Sequence, residues 1–297
     1  MSTPRLALIS CKALPKPDQD QQPLLTALAA RGIETALLAW DDDTVRWQDW
    51  DLCVIRSTWN YYLQPERFLR WLSNVDRLSR LLNPLEIVSD NIDKRYLCRL
   101  AARGIATIPT EVILRDTQPN LEALAQRCGW SKVVIKPVVS AGSYQTWSMA
   151  PDDRQTIDAL SQIHRRSDAL VQPYLESFET PGERALVNID GHWSHCVKKR
   201  PRFSGEGEAI SDGRPLNERE RAFGDRVLET IAVEHRPLLY ARVDVVEDSS
   251  GELLLSELEL TEPSLFLAHD DQALDRFVAA IEARLSGRST SRASFRE

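Results

Sequence analysis

Two adjacent stretches that otherwise read as apolar strands carry four charged side chains. In YARVDVVEDSSGELLLSELELTEP (residues 240–263), Arg242 and Asp244 lie in the first run, Glu257 and Glu259 in the second. Ser250-Gly251 is a two-residue turn signal, and a hairpin centred on it sets Asp244 opposite Glu257 and Arg242 opposite Glu259. Side chains alternate along a strand, so all four share one face, with cross-strand Cβ atoms roughly 4.5–5.5 Å apart. Carboxylates that close repel unless a cation neutralises them. Magnesium suits the task, because it takes carboxylate oxygens and shares its shell with substrate phosphates. Arg242 suits a phosphoryl group, since guanidinium is a planar fork of permanent charge. The competing reading is a solvated strand face with one cross-strand ion pair, since acidic side chains usually lie at the surface. The Arg-x-Asp partner strand favours the site.

Phosphates at such a place call for lysines. KVVIKPV (132–138) buries Lys136 in an apolar strand, which is costly unless the ammonium is paired or holds an anion. The loop that follows, SAGS (140–143), offers backbone N–H groups and two hydroxyls, Ser143 among them, as a phosphate cradle with a single glycine. Lys94, near the N-terminus of a helix after Asp93, is a second candidate, though taken alone it reads more readily as a surface lysine. Other signatures are missing: the chain has no GxxxxGK[ST], HExxH or GxSxG, and Gly205-Glu206-Gly207 fails the dinucleotide pattern at its last glycine. His192 and His195 fall on opposite strand faces, which disfavours a metal between them.

The 297 residues, 42% of them hydrophobic, suffice for two or three lobes. A net charge of −7 argues against nucleic acid as the partner, and the basic run at 198–202 is too short to reverse that. Five scattered cysteines without a CxxC pair read as reduced thiols, which points to the cytoplasm. MSTPRLALISCK reads as a first strand rather than a signal peptide, and no apolar stretch nears the ~20 residues of a membrane span.

Strands at 5–10, 34–40 and 51–57 alternate with helices at 21–31 and 65–82, the pattern of a parallel α/β sheet, and a strand-like LEIVS (85–89) closes this lobe. A helix at 93–103, with Asp93 as N-cap, leads into an α+β lobe at 109–175: strands 109–114, 132–138 and 169–175, helices 121–128 and 152–166. A hairpin turning at Asp190-Gly191, a helix at 217–234, the acidic hairpin and a helix at 270–285 complete the chain. The expected units are 1–90, 91–176 and 177–286, with a disordered tail at 287–297.

In chain order, Lys94, Lys136-Pro137, VQPYL (171–175), Gly182-Glu183, Arg242-Val-Asp244 and ELELTEP (257–263) resemble an ATP-grasp ligase of the glutathione-synthetase and RimK-like branch. RSTWNYY (56–62), NIDKRYL (91–97) and HWSHCVKK (192–199) bring the chain near the cycloserine-forming group. That resemblance implies an N-terminal Rossmann-like pre-ATP-grasp domain, a small central lid lobe and a C-terminal antiparallel-sheet lobe. It implies ATP with two Mg²⁺ ions: Lys94 and Lys136 on phosphates, Gln172 and Tyr174 at adenine, Glu183 on ribose. Asp244, Glu257 and Glu259 would hold metal, and Arg242 the transferred phosphoryl group. The chain departs from the pattern at Glu259, often Asn in related ligases, and at 201–213, where Arg200 or Arg202 stands in for the usual basic substrate contact. The family reaction makes an acylphosphate that a nitrogen then attacks, forming an amide-type bond on a small carboxylate or amine substrate. A homodimer is a family expectation. RSTW, at a strand's end where open α/β sheets bind ligands, offers Arg56 to a substrate carboxylate with Ser57, Thr58 and Trp59 shaping the pocket; its aromatic residues equally suit packing between lobes. An enzyme adding amino acids to a peptide, or a nucleotide-binding module without turnover, are the alternatives.

Overall fold

The computed structural model describes residues 4–117, 119–199 and 210–287. Its N-terminal apolar runs form the parallel sheet that their composition predicts. Strands β1 (Arg5–Ser10), β2 (Glu34–Ala39), β3 (Leu52–Ile55) and β4 (Arg80–Leu82) lie in the order β2-β1-β3-β4. Alternation divides the side chains between two cores. Leu6, Leu8, Leu52 and Val54 meet α1 (Gln21–Ala30) and α8 (Ala273–Ser286) through Leu24, Leu28, Phe277 and Ile281. Ala7, Ile9, Cys53 and Ile55 meet Phe68, Trp71 and Leu72 of α2 (Pro65–Leu78), together with Trp40 and Trp47.

Two short elements are reversed relative to expectation. The helix predicted over 65–82 stops at Leu78, and residues 80–82 become β4 beside β3. LEIVS, predicted as a strand, begins α3 (Leu85–Asn91) after Pro84. Periodicity cannot assign an apolar run of four or five residues, so the pairing edge of β3 decides the first and helical packing the second. The helix expected at 93–103 is α4 (Tyr96–Ala102); Asp93 accepts the Arg95 N–H at 3.0 Å within the preceding turn instead of capping the helix.

The second sheet is antiparallel, in the order β5-β8-β6-β7, from β5 (Glu111–Ile113), β6 (Val133–Pro137), β7 (Trp147–Met149) and β8 (Ala169–Pro173). β7 lies between the SAGS loop and the helix expected at 152–166, where the sequence pattern predicts no strand. Val133, Ile135, Ala169 and Val171 pack on α5 (Leu121–Cys128) and α6 (Arg154–His164). The opposite face is therefore left to Val134, Lys136 and Gln172.

The third sheet, order β10-β9-β11-β12, comprises β9 (Glu183–Ile189), β10 (His192–Lys199), β11 (Tyr240–Glu247) and β12 (Leu253–Glu259). Asp190 and Gly191 turn the first hairpin with φ of 52° and 79°, the left-handed pair of a type I′ turn. α7 (Glu218–Leu228), shorter than the 217–234 expected, packs Phe223 and Val227 against Leu186, Val243 and Leu258. The acidic hairpin has the expected register by a different route. Its loop is longer than a two-residue turn, since the Asp248 N–H reaches the Glu252 carbonyl at 2.8 Å and Gly251 takes φ of 85°. A bulge between Asp244 and Val245 absorbs the offset, and Asp244 still faces Glu257 and Arg242 faces Glu259. The expected tail beyond residue 287 lies outside the described residues. We propose units at 1–90, 91–176 and 177–286 along the three sheets; α8 crosses that division by covering the N-terminal sheet.

Candidate active site

β12 is an edge strand, and side chains from the N-terminal half complete its open edge. The Leu258 N–H donates to the Tyr96 hydroxyl at 2.9 Å, and Asn91 donates to the Leu258 carbonyl at 2.7 Å. Asn91 also accepts the Leu260 N–H at 2.8 Å, and the buried Asn83 donates to the carbonyls of Tyr240 and Leu260, both at 2.9 Å. With its backbone held this way, β12 can turn Glu257 and Glu259 inward. They look onto a cleft of about 410 Å³ between the second and third sheets, whose lining includes Trp59, Tyr61 and Tyr62.

The charged floor is a network. Arg242 donates from Nε and Nη2 to the two oxygens of Asp244, at 2.8 and 2.9 Å, and also pairs with Glu259. Lys199 Nζ lies 2.5 Å from Asp244 and 2.9 Å from Glu183, and Lys94 pairs with Glu257. The neutralising cations expected here, with magnesium suited to the task, are in part side chains of the protein itself: Arg242, Lys199 and Lys94. Asp244 is fully buried with both oxygens engaged, and it does not line the cleft. Glu257 and Glu259 do line it, and their side chains are partly exposed. Two inward carboxylates beside lysines fit a magnesium–triphosphate; Asp244 fits the support of Arg242 and Lys199 better than direct coordination. No cluster of three metal-ligating side chains forms among the described residues.

Burial and neighbours separate the carboxyl groups. Burial raises Glu257, but Lys94, then Lys136 and Lys199, overcome it and bring the group to about 2. Burial lifts Glu259 to about 7 against Arg242, with Glu257 and Asp244 adding to the rise. Glu262 is pushed to about 8 by burial and then by Glu259. Lys136 is lowered, chiefly by burial; no ion pair reaches it among the described residues. That is the state of a lysine waiting for an anion.

The remaining expected residues divide. Ser143 and Gln172 line the cleft; Gln172 donates to Thr110 at 2.8 Å, and Ser143 sits at φ of 62°. Glu183 lines it too, with its oxygens on Lys199 and on Ser256 at 2.6 Å. Tyr174 is outside the lining: its hydroxyl pairs with Glu179, and its ring lies 3.8 Å below Lys132. Of RSTW, Trp59 alone reaches the cleft. Arg56 is 3% exposed and joins Asp20 at 3.3 Å and the Pro263 carbonyl at 3.4 Å, while Ser57 donates to Ser10 at 3.0 Å and Thr58 is buried. The strand end leads to the site as expected, yet Arg56 is tied to Asp20 and to the carbonyl of Pro263, and Ser57 bonds within the N-terminal sheet. Arg202 and Arg200 lie outside the described residues. Sequence reasoning missed Lys199 and Glu262. Lys199 was absorbed into a basic run, although pairing with Glu183 across the Asp190-Gly191 hairpin could have signalled it.

Comparison with known proteins gives concordant results. A family model described as D-cycloserine synthetase DcsG, N-terminal domain, matches residues 6–83. Cycloserine biosynthesis protein DcsG from Streptomyces lavendulae is 32% identical over 298 residues, covering 94% of this chain and 98% of its own. The crystal structure of D-cycloserine synthetase DcsG superposes with a TM-score of 0.85 at 29% identity, over 95% of this chain and 99% of that one. D-alanine–D-alanine ligase from Bacillus anthracis follows at a TM-score of 0.67 and 14% identity, over 96% and 99% of the two chains, a likeness of fold alone.

Proposed function

This chain belongs to the family of ATP-grasp ligases that includes cycloserine biosynthesis protein DcsG, and we propose that it closes a ring within a ureido amino acid, as in cycloserine formation. It is an ATP-dependent ligase. The substrate reading is carried by one observation: the relative matched over almost the whole of both chains is a cycloserine biosynthesis protein.

In this reading Lys136 and Lys94 hold the triphosphate, with Ser143 in the loop above it, Gln172 at the adenine and Glu183 at the ribose. Glu257 and Glu259 would hold magnesium, which when bound would supply neutralisation of the triphosphate charge. A substrate carboxylate oxygen attacks the γ-phosphorus and ADP leaves. The nitrogen then attacks the acyl carbon, phosphate departs, the nitrogen gives up its proton, and water removes the carbamoyl group it carried as carbon dioxide and ammonia. Arg242, held at two of its three nitrogens by Asp244, is a fixed cation for the transferred phosphoryl group, so it need not reorganise as charge moves. Trp59 and Tyr62 wall the cleft and keep water from the acylphosphate. Small-molecule substrates, a homodimer and a cytoplasmic location belong to the same proposal. No helix among the described residues is long and apolar enough to cross a membrane.

Incubation with ATP, Mg²⁺ and O-ureido-D-serine should release phosphate and give the cyclised product by mass spectrometry. Arg242→Ala should lose product formation while still binding ATP. Phosphate release unchanged across that substrate and a panel of amino acids sinks the ring-closure reading. Mass gain on a peptide acceptor, without small-molecule turnover, transfers the assignment to a peptide ligase.

A further inference from the structure

Most carboxylates in the cleft, and Asp244 beneath it, are already matched within the chain. Asp244 and Glu183 share Lys199, Glu257 has Lys94, and Glu259 has Arg242. Glu262 is the exception. It lines the same cleft at 9% exposure, and no ion pair reaches it among the described residues.

Its position is fixed from behind. Trp59 Nε1 donates to the Glu262 carbonyl at 3.0 Å, and Arg56 grips the next carbonyl, that of Pro263, at 3.4 Å. The Tyr61 hydroxyl faces its carboxyl group. Trp59 and Tyr61 also line the cleft, so the carboxyl sits at an aromatic wall. Lys94 acts on this carboxyl only from a distance, and Lys16 lies over the Trp59 ring, 5.0 Å from its centroid, so a cation is at home at this wall. A carboxylate that no ion pair reaches among the described residues suits an ammonium group, which gains charge pairing there. Leaving it uncompensated is costly, and the rise to about 8 described above expresses that cost. The cleft thus pairs two complementary vacancies of charge: Lys136 toward an anion and Glu262 toward a cation.

We propose that Glu262 binds the protonated amine of the substrate and selects an amino acid over the corresponding carboxylic acid without the amine. This rests on the ligase reading above, in which phosphates occupy the Lys136 side and the substrate carboxylate lies toward Arg242. Glu262 then sets the orientation in which that carboxylate meets the γ-phosphate.

The test is calorimetry on the full chain with Mg²⁺ and a non-hydrolysable ATP analogue. Ligand pairs differ only in the amine: O-ureido-D-serine against its des-amino counterpart, and D-serine against 3-hydroxypropionate. Wild type should bind the aminated member at least about tenfold more tightly, the worth of one charge-assisted hydrogen bond. Glu262→Gln should bring the ratio below about threefold, and Glu262→Asp should restore part of it, with circular dichroism and melting confirming both folds. A purely structural role would weaken both members together and leave the ratio intact. Absence of amine preference in wild type, absence of any aminated binding, or a ratio retained in Glu262→Gln overturns the proposal. Amine preference without phosphate release from O-ureido-D-serine removes the ring-closure reading and leaves Glu262 its role. Turnover of both members alike does the reverse.

Discussion

Asn83 is fully buried where the N-terminal sheet meets the strands of the cleft. Its amide donates to the carbonyls of Tyr240 and Leu260, each at 2.9 Å, and accepts the Leu239 N–H at 3.0 Å. Asn83→Leu keeps the approximate volume and removes all three bonds. The Leu239 N–H is then a buried donor without a partner, at about 1–3 kcal/mol, and each carbonyl loses a bond worth about 0.5–1.5 kcal/mol. The expected loss is about 4 kcal/mol, a large share of the roughly 5–15 kcal/mol that holds a typical protein folded. Urea unfolding followed by tryptophan fluorescence and by circular dichroism measures it. Five of the eight tryptophans, Trp40, Trp47, Trp50, Trp59 and Trp71, belong to the N-terminal unit, so fluorescence weighs that unit more heavily and weakened coupling should also separate the two transitions. Asn83→Asp should do no better, because it keeps the acceptor but loses both donor bonds. A loss under about 1 kcal/mol for Asn83→Leu, with coincident transitions, would refute the view that this residue splices the lobes.

Lys136→Met should weaken ATP–Mg²⁺ binding by about 100-fold in calorimetry, on the order of 3 kcal/mol for a charge-assisted contact, yet leave the melting temperature of the free protein unchanged or higher, since burial already disfavours this ammonium. Unaltered nucleotide affinity would remove Lys136 from the phosphate site. Glu262 titrates near 8 in the folded chain against an ordinary value of about 4.3, so between those values the folded state holds a proton that the unfolded state has released. Stability of the ligand-free protein should therefore fall as pH rises through that window, by up to about 1.4 kcal/mol per pH unit, and level off above it. Glu262→Gln should flatten that slope in urea titrations at pH 5 to 8; an identical slope in both proteins contradicts the assignment.

The parts of this enzyme that could be read without coordinates are those governed by local repeats. A side-chain period of two puts Arg242, Asp244, Glu257 and Glu259 on one face, and it sends Lys136 away from the helices that cover Val133 and Ile135. Alternating strands and helices likewise announced the parallel sheet, and glycines with positive φ at 32, 104 and 129 mark where helices end. Three-residue strands such as Arg80–Leu82 and Trp147–Met149 escaped, because elements that short carry no period and exist only by pairing with a neighbour.

Partnership is the other blind spot. Lys199 meets Asp244 across 45 positions, Lys94 meets Glu257 across 163, and Trp59 holds Glu262 across 203. Nothing in the neighbourhood of any of these residues announces its mate. Arg56 shows the consequence: its place at a strand end suggested a substrate contact, and Asp20 had already taken its charge. The pattern of residues along the chain settles which side chains point the same way, since that follows from backbone geometry over a few bonds. Which charges cancel, and which one is left for a ligand, depends on distances between segments that the chain brings together only by folding.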